Sequence, residues 1–454
     1  MRHHHCPLLL AVAASTILAA PSAAMADHAT NPHTDNMHAK GHSAHPATFF
    51  GEPDGVRHIS SDIAFWGNLA FHGNYDGFRV IDISDPDNPQ EIVHQGCNGD
   101  QGDIFVWDDI LVRSWNSKKT VPRDCDGDTV PAGWEGVHVF DISNVADPDL
   151  VASVELPCGS HTLTGAGISG GNAIVYSNNS SSGGCTGGDP AGDFMDVIAV
   201  PLANPAGASL IHREQLAGPT TAVATGCHDA GAILGSVNKV ACASADTINV
   251  FDIGANDTPG GSPEDPALLF TISEPGVGQA GTNGRWHSAA FTWDGEVIVA
   301  GWEPGGGAAP ECETTDPDLD KSAFFYDADT GAKLGQWTLP RGQDGVGENC
   351  TIHNYNVVPL RSGRYVLVSG NYQAGTWVTE FTDPANPVTL GWSDPPAITP
   401  PDLGGAWSSY WYNNFIYESS ITEGLNVFRF SGSATAGAIR LGHLNPQTQE
   451  FSLG

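Results

Sequence analysis

Short runs of alternating apolar and polar residues, each closed by Asp, Asn, Pro or Gly, recur along the chain. Residues 77–89 read G-F-R-V-I-D-I-S-D-P-D-N-P, and residues 136–148 read G-V-H-V-F-D-I-S-N-V-A-D-P. Looser copies stand at 247–254 (T-I-N-V-F-D-I-G), 322–331 (S-A-F-F-Y-D-A-D-T-G), 376–387 and 424–432. A period of two marks a half-buried strand, and the closing residues mark a turn. A phrase that keeps returning marks a repeat architecture.

Hairpin signals precede the copies. Their turns are Trp66-Gly67-Asn68, Asp108-Asp109, Ser169-Gly170-Gly171, residues 235–238, Asp294-Gly295, Ser362-Gly363 and Asn413-Asn414. Each hairpin leads into a strand like residues 80–83, then a turn and a fourth strand. Four antiparallel strands per unit, repeated radially, predict an all-β fold: a seven-bladed β-propeller of four-stranded antiparallel blades. No long stretch has a helical period. The 55 glycines and 31 prolines lie between short apolar runs, as a turn-rich β protein requires. Insertions near 117–133, 180–192, 255–265 and 304–320 read as surface loops.

The N-terminus departs from this pattern. Arg2, the apolar residues 8–20 and Ala24-Met25-Ala26 have the layout of a signal peptide over residues 1–26. No other segment has the length and apolarity of a membrane-spanning helix. Residues 27–48 read as a disordered His-rich tail, and residues 49–454 as a single propeller domain. The tail's His28, His33, His38, His42 and His45 are the residue type that captures Cu²⁺, Zn²⁺ or Ni²⁺ loosely. Export leaves Cys97, Cys125, Cys158, Cys185, Cys227, Cys242, Cys312 and Cys350. An even count outside the cell reads as disulfides. Sequential pairing is the simplest arrangement, though sequence does not fix it.

A formal net charge of −34, with 18 Lys and Arg, disfavours nucleic acid and anionic lipid as partners. An extracellular ligand or protein is the expected partner. Asp124-Cys125-Asp126-Gly127-Asp128 and Asp316-Pro317-Asp318-Leu319-Asp320 are candidate Ca²⁺ loops, although neither has the distal Glu of a complete EF-hand.

The run Phe78-Arg79-Val80-Ile81-Asp82-Ile83-Ser84-Asp85-Pro86-Asp87-Asn88-Pro89 resembles the repeat of the LVIVD-repeat proteins of bacteria and archaea. That resemblance implies a propeller fold and a secreted or surface location. It implies no common activity.

Four histidines hold one place in successive repeats: His161, His228, His287 and His353, spaced by 67, 59 and 66 residues. Each opens a predicted innermost strand, and innermost strands line the axial channel. Their imidazoles should converge near the axis, where they suit Cu, Fe or Zn. Asp62 and Asp103 take similar register in the first two repeats, and His58 lies four residues before Asp62. Loops on the same side carry His72, Asn74, Trp115, Asn116, Asn178, Asn179, Glu303, Asn371, Tyr372 and Glu418. Asp229, Glu303 and Glu348 are candidates to orient the rings. No G-x-S-x-G, H-E-x-x-H or Walker-type motif occurs.

Two readings follow. One is an exported, disulfide-stabilised binding scaffold that works through its axial face. The other is a Cu- or Fe-dependent oxidoreductase with a four-His site at the axis. Carotenoid-cleaving oxygenases have a similar layout, in architecture only.

Overall fold

The computed structural model describes residues 28–45, 57–99, 101–116, 118–179, 194–217, 226–244, 246–254, 260–277, 284–399 and 401–453. The signal segment and Cys185 lie outside them. Among the described residues there is no α-helix, only strands and short 3₁₀ turns.

The repeats fold as antiparallel meanders. The first runs Ser60–Trp66, Leu69–Asn74, Gly77–Asp82 and Gln90–Gly96. Its inner strands are buried on both faces, whereas Gln90–Gly96 is mostly exposed. The repeated phrase has a local cause in each copy. The third strand carries a bulge against the fourth, between Val80 and Ile81, Val139 and Phe140, Val250 and Phe251, and Phe325 and Tyr326. The Asp that ends it turns the chain. Asp82 Oδ1 accepts the Ser84 amide at 2.8 Å, and Asp141 Oδ1 accepts that of Ser143 at 2.9 Å. Asp252 Oδ1 does the same for Gly254 at 2.8 Å. Such Asx turns are why Asp recurs where the alternation stops.

The innermost strands touch in a closed ring. Ser60–Trp66 contacts Ile104–Trp107, followed in turn by Thr162–Ser169, Cys227–Ile233, Gly284–Phe291, Asn354–Val357 and Ala406–Tyr412. That last strand contacts Ser60–Trp66 again. The fold is therefore a β-propeller. Its core lies between neighbouring sheets: Val112, Val137 and Val139 of one pack on Leu163, Val175 and Ile198 of the next.

Both ends of the chain take part. The expectation of a disordered tail over 27–48 is corrected for its described part, because Met37–Ala44 is a strand paired with Gly424–Phe430. Its low apolar content hid it. As an outermost strand it buries only Met37, Gly41 and Ser43, and its backbone is satisfied by pairing. The tail imidazoles are engaged as well. His42 bonds Asn426 at 2.8 Å, His38 bonds Ser431 at 2.7 Å, and His28 packs edge-on against Phe428. Arg79 donates to the Ser43 hydroxyl and carbonyl, and His45 Nε2 sits 3.4 Å from Asp76.

The C-terminal segment crosses the other end of the ring. His443–Leu444 pairs with Trp66 and Phe65, and Thr448–Gln449 pairs with Ala232 and Ile233. Between these, Asn445 bonds both the amide and the carbonyl of Val106, and Thr448 donates to the Gly165 carbonyl. Further on, Leu453 N donates to Trp293 O.

Disulfides join Cys97 to Cys125, Cys227 to Cys242 and Cys312 to Cys350, three of the four sequential pairs. Cys158 is also disulfide-bonded. Among the described residues, neither acidic loop gathers three carboxylate or imidazole ligand atoms. Asp126 instead accepts from Gln95 Nε2 and the Leu150 amide, both at 2.8 Å. In the second loop, Lys321 Nζ is the cation, bonded to the carbonyls of Glu313 and Asp316.

Candidate metal centre at the propeller axis

The four histidines converge. Ring centroids are 4.4 Å apart for His161 and His228, 3.9 Å for His228 and His287, and 4.2 Å for His287 and His353. Tyr372 continues the arc at 4.2 Å from His353, and Trp407 stands edge-on to His353 at 5.1 Å.

Backbone irregularity aims them. His228 is the extra residue of a bulge between Cys227 and Asp229. His287 is that of a bulge between Trp286 and Ser288, and Trp407 that of one between Ala406 and Ser408. A bulge leaves one residue out of the ladder and turns its side chain, here at the start of the inner strand. This also corrects the expected register. Asp62 and Asp103 are not level with the histidines. They match Asp229, one residue further along, and their environments are electrostatically linked to it. Asp62 accepts from Asn354 Nδ2, the Tyr410 hydroxyl and Gln447 Nε2. The axis thus carries an imidazole layer with a buried polar layer beneath it.

A cavity of about 170 Å³ opens over the imidazoles. Tyr75, Gln101, Arg285, Glu303, Tyr372 and Trp407 contribute to its wall together with the four rings. His228, His287 and Glu303 each offer a ligand atom, all within 4.8 Å of one another. His287 Nε2 lies 3.7 Å from Glu303 Oε1. The flanking rings are held differently. His161 has both nitrogens against amides, of Asn116 at 2.5 Å and Gln101 at 3.3 Å. His353 donates Nδ1–H to the Trp407 carbonyl, which leaves the Nε2 lone pair available. Gly307 packs so closely on Glu303 Oε1 and the Tyr372 hydroxyl that a Cβ there would collide with both.

Burial sets the charge state. It pushes His161 and His353 down to about 3, with Arg285 adding to the effect on His161. Burial and the neighbouring imidazoles hold His228 and His287 well below the ordinary range. All four rings are therefore neutral at physiological pH, the form that binds metal. His228 Nδ1 and His287 Nδ1 are buried with no hydrogen-bond partner. Burial raises the Glu303 carboxyl, opposed by Arg285 and by the Tyr372 hydroxyl, which donates to Oε1 at 3.2 Å.

Other expected residues lie elsewhere. His58 donates to Asp76 at 2.6 Å, and His72 bonds Ser419. Glu348 accepts the Gly345 amide, and Glu418 binds Thr376 and Asn426. Gln101 escaped the sequence reading, because nothing in its own segment distinguishes a glutamine two residues before Asp103.

The fold is that of a β-propeller, and the chain carries LVIVD repeats: the LVIVD-repeat family model matches residues 59–94 and 130–155. No curated protein matches the sequence. Among solved structures, the β-propeller domain of Myceliophteria thermophila Cps50 (Swd1) is similar at a TM-score of 0.49 and 8% identity. The match covers 85% of this chain and all of that one. The Dos1 propeller matches at 0.48 and 10%, covering 84% and 80%. The computationally designed Ika8 protein matches at 0.45 and 13%, covering 86% and 99%. These likenesses carry no argument about function.

Proposed function

We propose that this chain is an exported, seven-bladed propeller of four-stranded blades. It holds a divalent transition metal in its axial cavity and presents that face to a ligand. The blade count is supported by the ring of inner-strand contacts, which returns to Ser60–Trp66 after Ala406–Tyr412. Export is supported by the disulfides, which persist in oxidising compartments. The observation that carries the metal reading is the convergence of His228, His287 and Glu303, each of which offers a ligand atom within 4.8 Å of the others. All three side chains are buried, and neutral imidazoles with a carboxylate are a ligand set for a divalent transition metal. His161 and His353 flank the ion.

The test is metal content by mass spectrometry on the mature protein and on a His228→Ala/His287→Ala variant. About one Zn, Fe or Cu per chain in the parent, lost in the variant, is the expected result. No transition metal after reconstitution would sink the reading. A second reading, an Fe-dependent oxidoreductase, is favoured by one feature. Two histidines and one carboxylate with an open side form the ligand set of non-haem Fe(II) oxygen chemistry. Oxygen uptake by the Fe(II)-loaded parent, absent in the double variant, is its measurement.

A further inference from the structure

Glu303 is already engaged from two directions. Tyr372 donates to Oε1, and Arg285 Nε stands 3.9 Å from Oε2. Among the described residues, Arg285 and Glu303 are the only Lys, Arg, Asp or Glu side chains in the cavity wall. Their formal charges cancel. A divalent ion bound by His228, His287 and Glu303 upsets that balance. The carboxylate is then shared between ion and guanidinium, and the wall with its ion carries a net formal charge of about two. Uncompensated charge in a buried site is costly, and neutral imidazoles supply no counter-charge. The rest of the wall includes Ile59, Trp407 and Ile421, which suit an apolar group.

We propose that the axial cavity binds a small organic carboxylate together with the metal. Its carboxylate lies between the ion and Arg285, and its apolar end lies against Ile59, Trp407 and Ile421. This rests on the metal reading above. It adds a coupling: metal and carboxylate raise each other's affinity by the same factor. Arg285 is the residue that selects the anion, because its planar fork matches a carboxylate.

Calorimetric titration of propionate tests this, with zinc-loaded and chelator-stripped samples of the parent, Arg285→Gln and Arg285→Lys. Zinc content is measured on every sample. The zinc-loaded parent should bind propionate about tenfold or more tighter than the stripped parent. Arg285→Gln should keep its zinc and lose that gain, and Arg285→Lys should recover part of it. Equal propionate affinity in zinc-loaded parent and Arg285→Gln overturns the inference and leaves the metal reading intact. So does a zinc-loaded parent that takes no propionate. A parent that holds no zinc overturns the metal reading itself, and the coupled carboxylate falls with it.

Discussion

Gly307 shows how little room the site leaves around Glu303. It has a φ of +75°, in the left-handed region, and a Cβ there would collide with the carboxylate and with Tyr372. Gly307→Ala should displace Glu303 and cut metal retention by about tenfold or more, read as zinc affinity by competition with a chelator. A second buried carboxyl, Glu418, gives a pH-dependent prediction. Burial raises it from 4.5 to about 7. Its folded form therefore favours the proton, and stability falls as pH rises from about 4.5 through about 7. Glu418→Gln should raise the thermal midpoint relative to the parent at pH 8 and give no gain at pH 4. The histidines themselves were legible in the sequence, since a recurring His at repeat spacing is a one-dimensional signal. The level of Asp62 and Asp103 was not. It depends on bulges that insert one residue per strand, and alternation does not record a bulge. The engagement of His161 by Gln101 was equally hidden, because their contact spans 60 residues.

At the scale of elements, three devices hold the meanders. The first is the Asx turn after the repeated strands that end in Asp82, Asp141, Asp252 and Asp327, which the recurring Asp made readable. The second is the disulfide. Cys97 and Cys125 tie the hairpin of Arg123–Cys125 and Asp128–Val130 to the first sheet. Replacing both cysteines by alanine should cost roughly 3 kcal/mol in urea unfolding. The third is a latch on the strand Met37–Ala44. Asp76 is buried and faces His58 at 2.6 Å, His45 at 3.4 Å and His94 at 3.5 Å. Although burial alone would raise it, these imidazoles bring its carboxyl from 3.8 down to about 2. Stability from a depressed carboxyl is present above its unfolded value and lost as pH falls through about 2. The shift is worth roughly 2 kcal/mol. Asp76→Asn should therefore lower the thermal midpoint at pH 7, and its deficit should shrink below about pH 3. This strand was missed in the sequence because its partner lies at the far end of the chain. A strand that buries only two side chains, Met37 and Ser43, leaves little apolar pattern to read.

At the scale of the whole molecule, the closed ring and the C-terminal crossing leave the axial channel one mouth among the described residues. The histidines open the inner strands, whereas Phe65, Val106, Gly165, Ile233 and Phe291 lie further along them. Those later ends are covered by residues 443–453. Removal of residues 443–453 should lower the midpoint of urea unfolding and expose apolar surface, read as increased dye binding. Glu450, raised to about 7 by burial, sits in that segment and marks how firmly it is enclosed.

The pairing of residues 37–44 with 424–430 also orders events in time. For a chain synthesised and threaded from its N-terminal end, the first strand to emerge waits for nearly the last. Meanwhile the short-range cysteine pairs, 28, 15 and 38 residues apart, need no such delay and can oxidise within a half-made molecule. A chain cut short before residue 424 would carry bonded cysteines and two bare sheet edges, the kind of surface that chaperones and proteases recognise. The seam between residues 37–44 and 424–430 therefore closes only in copies that reach residue 430.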